Sequence, residues 1–68
     1  MLQNFVLQLV AGKKKITKEI KSASEEDALN LMAQYLYNNS EKYKLSGEYK
    51  VNVFCRETKK NSSYRMDL

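Results

Sequence analysis

The sequence contains no histidine and only one cysteine, and these two shortages exclude most of the residue sets that enzymes use. Without histidine, the commonest general base and metal ligand is missing. Cys55 alone can form neither an internal disulfide nor the paired-cysteine spacing of a zinc site. We therefore expect a protein that is not an enzyme, that needs no metal or cofactor, and that resides in the cytoplasm.

Glycines and long apolar runs are also scarce. Gly12 and Gly47 are the only glycines, so the chain has no glycine-rich loop to bind phosphate groups. The longest apolar run near the start, residues 5–7, ends at Gln8, which argues against a signal peptide or a transmembrane helix. We expect neither a membrane nor a small-molecule substrate as partner.

The charges are unevenly distributed along a chain whose 68 residues suit one small domain. Twelve bases and eight acids give a net charge of +4, with +4 in residues 1–23, −3 in residues 24–40 and +3 in residues 41–68. This modest basic excess permits a nucleic acid or an acidic protein as partner and requires neither.

The segment from Ser24 to Asn39 has the clearest periodicity and predicts one long helix. Ser24 followed by Asp27 is typical of a capping box, and the acids at 25–27 complement the positive end of the helix dipole. The apolar residues recur at helical spacing and share one side of the helix: Ala28, Leu29, Leu31, Met32, Tyr35 and Leu36. A single apolar side of this kind needs a sheet to cover.

Alternating apolar and polar residues before the helix predict a β-hairpin. Residues 4–11 and 15–22 each alternate, and Gly12-Lys13 is a natural turn between them. A two-residue turn at this point pairs Leu9 with Ile16, which brings apolar residues together on one face. The other core-face pairs of this register are Leu7 with Lys18 and Phe5 with Ile20.

The segment after the helix predicts a loop and a second pair of strands. Residues 41–48 are polar, which indicates a loop, and residues 49–57 alternate again. Cys55 lies in phase with Val51 and Val53, so we expect a buried, inert thiol. A lysine-bearing turn over 58–62 leads to a short last strand, whose core-face residues are Tyr64, Met66 and Leu68.

The predicted order is ββαββ, a single two-layer α+β domain over residues 1–68 with the helix packed across one face of the sheet. It resembles the β-grasp superfold of ubiquitin-like domains and of the immunoglobulin-binding domains of proteins L and G. Residues 1–6 (Met-Leu-Gln-Asn-Phe-Val) with Gly12-Lys13 are similar to the first ubiquitin hairpin, and residues 46–51 (Ser-Gly-Glu-Tyr-Lys-Val) to the third strand of a protein L domain.

The resemblance implies a four-stranded mixed sheet with the first and last strands parallel at its centre. A plain antiparallel meander under the same helix is the alternative. Ubiquitin-type modifiers end in Gly-Gly, whereas this sequence ends in Arg65-Met66-Asp67-Leu68. The resemblance therefore implies a fold and no particular activity.

Three surfaces compete as binding sites, and exposed edge strands offer a fourth route by adding a partner's strand to the sheet. On the sheet face opposite the helix, apolar residues lie among polar and basic ones: Val6, Gln8, Val10, Asn52, Phe54 and Arg56. The two turns carry lysines suited to phosphate contact: Lys13, Lys14, Lys15, Lys59 and Lys60. The outer side of the helix is neutral and carries a tyrosine: Asn30, Gln34 and Tyr37.

We therefore predict a small non-enzymatic binding protein, an adaptor or inhibitor. Its expected partner is a protein, bound through the open sheet face, an edge strand or the neutral helix face. The alternative is a small basic nucleic-acid-binding protein, in which the turn lysines contact phosphates and Phe54 stacks on a base.

Overall fold

The computed structural model describes residues 1–45 and 47–68. Its elements are β1 (Gln3–Ala11), β2 (Lys14–Ser22), α1 (Glu25–Asn38), α2 (Ser40–Tyr43), β3 (Glu48–Cys55) and β4 (Asn61–Asp67). The α+β class, the ββαββ order and the packing of one long helix on the sheet are confirmed. Predicted strand ends differ from the observed ones by only a few residues.

The sheet is antiparallel throughout, in the order β2-β1-β3-β4. The mixed sheet that the resemblance implies is not observed, because β1 and β3 are direct neighbours at the centre and β4 lies at an edge. The sheet is not a plain meander either, since β3 returns beside β1 and not beside β2. The composition of the strands explains this order: β3 buries Val51, Val53 and Cys55, whereas β4 buries only Met66 among the residues described.

The apolar core lies between the sheet and α1, which packs over β2 and β1. The predicted core faces of β1, β3 and the helix are confirmed, since their central residues are nearly inaccessible to solvent: Phe5, Leu7, Leu9, Ala28, Met32, Leu36, Val51, Val53 and Cys55. Leu31 differs from the prediction and is 44% exposed, because it lies at the margin of the apolar stripe.

The hairpin register predicted from the sequence is also confirmed, with Leu9 opposite Ile16 and Phe5 opposite Ile20. Gly12 occupies the turn with a φ of +61°, a left-handed conformation that glycine adopts without steric cost. Lys18 faces the helix side, where its Nζ lies 4.1 Å from the centroid of the Tyr35 ring. This cation–π contact is how a lysine is accommodated beside the core.

Ser24 is the N-cap of α1, as the sequence predicts, but the reciprocal bond of a capping box is not formed, because the Ser24 N–H bonds to the Ser22 Oγ at 3.5 Å. Ser24 has extended backbone, and its Oγ accepts a hydrogen bond from the Asp27 N–H at 3.2 Å. At the other end, the Asn39 side chain donates to the Tyr35 carbonyl at 2.7 Å. The first part of the predicted loop is helical. The Lys42 and Tyr43 N–H groups bond to the Asn39 carbonyl and form the single turn of α2. Position 46 of the predicted loop lies outside the described residues.

Replacing Ser24 by alanine should lower the free energy of unfolding by about 0.5–2 kcal/mol, because the Asp27 N–H loses its acceptor. Chemical denaturation measures this loss from the shift of the midpoint, provided that the dependence of the unfolding free energy on denaturant is the same in both proteins. A Ser24→Thr variant keeps a hydroxyl acceptor and serves as the control. If Ser24→Ala unfolded at the wild-type denaturant midpoint, the cap would contribute nothing.

Leu9 and Val10 are adjacent in sequence but point to opposite faces of the sheet, so they test the core assignment directly. Leu9→Ala should cost on the order of 2–5 kcal/mol, since a fully buried side chain leaves a cavity. Val10→Ala on the open face should cost clearly less. Equal losses in urea unfolding would contradict the assignment of the two faces.

Candidate binding surfaces

The sheet face opposite α1 carries side chains that all remain at least partly exposed. The strand register places Val6 directly opposite Phe54, and Gln8 directly opposite Asn52. Val10 follows on the same face of β1. Five residues predicted from the sequence therefore adjoin one another, and we call them the outer patch: Val6, Gln8, Val10, Asn52 and Phe54.

The centre of the outer patch is a shallow depression of about 230 Å³. Val6 and Phe54 form its apolar part, and the flanking residues are amides and a hydroxyl: Gln8, Asn52, Asn61 and Thr17. Ser63 donates a hydrogen bond from its Oγ to the Asn52 Oδ1 at 3.0 Å, which orients that amide. The depression thus combines an apolar floor with neutral hydrogen-bonding groups.

The arginines on this face are held by carboxylates. Arg56 Nη2 lies 2.9 Å from Glu19 Oε2, so the pair crosses over β1, and Arg65 Nη1 lies 3.1 Å from Glu48 Oε1. All four side chains are more than half exposed, so such pairs add about 0–1 kcal/mol each to stability. Their main effect is that each guanidinium group already has a carboxylate partner. Arg56, predicted as a site residue, lies beside the outer patch and is paired.

The structure separates the turn lysines into two clusters. Because β1 and β3 are antiparallel, the turn after β1 and the turn after β3 lie at opposite ends of a molecule 33 Å long. Lys13, Lys14 and Lys15 occupy one end, and Lys59 and Lys60 the other. The prediction of phosphate contact therefore stays a prediction for each cluster separately and does not describe one continuous site.

The neutral helix face is a separate surface on the other side of the domain. Asn30, Gln34 and Tyr37 are exposed, Tyr37 to 77%. They point away from the sheet, whereas the outer patch faces away from the helix. One partner domain of similar size cannot cover both surfaces.

The second turn is anchored to β1 by a contact that spans 53 positions of the sequence. The Glu57 carboxylate accepts hydrogen bonds from the Asn4 N–H and from the Asn4 side-chain amide, both at 2.9 Å. The Asn4 N–H is the main reason why the pKa of Glu57 lies below its ordinary value. No local sequence signal indicates this contact, because it depends on the pairing of β1 with β3.

A contact between α1 and α2 is also absent from the sequence-based prediction. The hydroxyl groups of Tyr35 and Tyr43 lie 2.8 Å apart, and Lys18 and Lys42 stand over the two rings. The hydrogen bond with Tyr43 is the main reason why the pKa of Tyr35 is lowered. Tyr43 falls in the segment predicted as a loop, so this pair could not be recognised before α2 was known.

Among the side chains that the structure describes, those of residues 1–39, 42–45 and 47–68, no three histidine, cysteine or carboxylate groups come together as ligands of a metal ion. Cys55 is 2% exposed, and its Sγ lies 3.9 Å from a Glu57 carboxylate oxygen. In the same described residues, no helix has the length and apolar character needed to cross a membrane.

No protein-family model, curated protein or solved structure matches the chain. The outer patch is the surface on which the most predicted site residues adjoin one another.

We expect the Cys55 thiol to react slowly, because its side chain lies on the core face of β3 and is buried. A chromogenic disulfide reagent should modify the native protein at a small fraction of the rate measured in denaturant. A control variant, Ser63→Cys, places a thiol on the exposed edge strand and should react rapidly. Equal rates at both positions would show that Cys55 is accessible and would favour a redox or catalytic role for its thiol.

Proposed function

We propose that this chain is a small binding protein, an adaptor or inhibitor, that docks a protein partner on the outer patch without catalysing a reaction. The observation that carries the proposal is the apolar pair of Val6 and Phe54 on an otherwise polar, open sheet face. Apolar residues at the centre with amides and charges around them are the usual anatomy of a protein interface. Phe54 is the expected anchor, because a single aromatic side chain often supplies much of the binding energy.

The charges on this face favour a protein over a nucleic acid. Both arginines already engage carboxylates, so a phosphate would have to compete with those carboxylates for each guanidinium group. Phe54 is the only aromatic on the outer face of the described strands, whereas proteins that bind single strands usually present several stacking platforms. The separation of the two lysine clusters also argues against one continuous groove for a phosphate backbone.

A second candidate, nucleic-acid binding, is favoured by one specific feature. Lys15, Lys50 and Arg65 lie in one row across the sheet, and Lys50 stands directly opposite Arg65. Like charges directly opposite each other in a sheet are destabilising. Glu48 offsets part of this repulsion through its pair with Arg65, and an anionic ligand at Lys50 would relieve the rest. The turn lysines at positions 13 and 14 would extend this basic end.

The two candidates differ in which substitutions abolish binding. The tagged protein and its variants are compared as baits in lysate from the native cell, with and without nuclease treatment. For a protein partner, Phe54→Ala should weaken capture by about tenfold or more, equivalent to 1.4 kcal/mol, and nuclease should have no effect. Replacing Lys13, Lys14 and Lys15 by glutamine should weaken capture less. Tyr37→Ala, an exposed aromatic on the opposite side, is the matched control.

A titration with generic single- and double-stranded oligonucleotides completes the comparison. Micromolar binding whose logarithm falls steeply with the logarithm of salt, and which the triple lysine variant flattens, would favour the nucleic-acid candidate. Loss of capture in Tyr37→Ala with retention in Phe54→Ala would instead move the interface to the helix face and contradict the outer patch.

A further inference from the structure

The hydrogen bonds of the β3–β4 hairpin identify which backbone groups of β4 face its free edge. Gly47 and Leu68 exchange two backbone hydrogen bonds, at 2.9 and 2.8 Å. In an antiparallel ladder, doubly bonded pairs alternate with pairs that are not bonded to each other. The even-numbered residues of β4 therefore direct N–H and C=O towards β3. The odd-numbered residues direct theirs outwards: Asn61, Ser63, Arg65 and Asp67.

The other edge strand, β2, can be analysed in the same way. The Arg56 N–H bonds to the Asn4 carbonyl at 3.0 Å, so the even-numbered residues of β1 face β3 and the odd-numbered ones face β2. The outward backbone groups of β2 consequently belong to residues 15, 17, 19 and 21. Thr17 is the one uncharged residue among these four.

The two edges differ in how they are protected against pairing. Four of the nine residues of β2 are lysines, and lysines on an edge strand typically prevent another strand from adding to it. β4 has no lysine and no proline, and its seven residues include one base and one acid. β4 is therefore the edge that is open to strand addition.

We propose that two copies of this chain pair through β4, antiparallel about a twofold axis at Tyr64, to form a continuous eight-stranded sheet. In this register Ser63 lies opposite the partner's Arg65, and Asn61 lies opposite the partner's Asp67. All outward N–H and C=O groups of both strands are then matched, giving about eight backbone hydrogen bonds. No like charges stand directly opposite each other.

The two neighbouring registers with an axis at Arg65 or Met66 are less favourable in charge or in the number of paired residues. An axis at Arg65 would place that residue opposite the partner's Arg65, which is repulsive. An axis at Met66 would pair only residues 65–67 of the two β4 strands with each other. With the axis at Tyr64, the two tyrosines form the central pair on the helix side, at a position without hydrogen bonds where side chains approach most closely. Tyr64 is 37% exposed in the single chain and gains an aromatic neighbour.

The occupant is a second copy, because β4 is complementary to itself along its whole length. A strand from another protein could bond to the same backbone groups, but only a matching sequence would also place uncharged hydrogen-bonding side chains, such as a hydroxyl and an amide, opposite Arg65 and Asp67. The twofold arrangement supplies both from the chain itself. The proposal does not depend on the outer patch, since the edge backbone and the patch side chains are different groups.

The mass in solution gives the first test. Sedimentation velocity over increasing concentration should show a species of twice the 7.9 kDa protomer mass. Ser63→Pro removes an outward N–H without removing a bond to β3, and it should weaken dimerisation by about tenfold or more. Ser63→Ala controls for the lost hydrogen bond to Asn52, and Thr17→Pro removes the corresponding outward N–H of β2. Both controls should dimerise like the wild type.

Amide hydrogen exchange gives a second test that needs no variant. The Ser63 and Arg65 amides should become protected as concentration rises, whereas the Thr17 and Glu19 amides should exchange rapidly at every concentration. A 7.9 kDa species at up to about 1 mM, with all four amides exchanging at similar rates, would overturn the proposal. A dimer that Thr17→Pro disrupts as strongly as Ser63→Pro would overturn it as well. If Ser63→Pro fails to fold, the exchange pattern of the wild type decides.

Discussion

The pairing of β1 with β3 is the constraint on which the rest of this structure depends. It places Leu7 beside Val53 at the centre of the sheet, so that the two most apolar strands share the core under α1. The same pairing sends β2 and β4 to the edges and the two lysine-bearing turns to opposite ends. On the reverse face it brings Val6 against Phe54. One long-range contact thus fixes the core, the edges and the candidate interface together.

The sequence predicts the elements and their faces well because those properties are local. Alternation in a strand determines which residues face the core whichever strand lies next to it, so Leu9 and Val53 are buried in either sheet order. The Ser24 cap and the Gly12-Lys13 turn are short-range signals of the same kind. Strand order is different, since it depends on which strands compete for the centre. A resemblance based on short segments could not resolve that competition.

In the candidate site, too, the local features could be predicted and those that depend on strand order could not. The residues of the outer patch could be predicted, because alternation alone places them on one face. The pairing of Arg56 with Glu19, 37 positions apart, and the separation of the lysine clusters could not, because both depend on strand order. These two features support the protein partner expected from the sequence over the alternative of phosphate contact. The long-range geometry therefore contributes less to locating the surface than to the choice between the two proposed kinds of partner.

The edge strand β4 is held in place by the first turn of α1. The Glu25 carboxylate at the start of the helix accepts hydrogen bonds from the hydroxyls of Ser62 and Tyr64, which ties β4 to the helix and raises the pKa of Tyr64. An edge that is already ordered loses little entropy when a strand adds to it. The twofold axis proposed for the dimer is perpendicular to the sheet, so both helices lie on one side and both outer patches on the other. Two identical patches on one rigid surface would bind a partner with repeated epitopes far more tightly than one patch does, because the second contact becomes intramolecular.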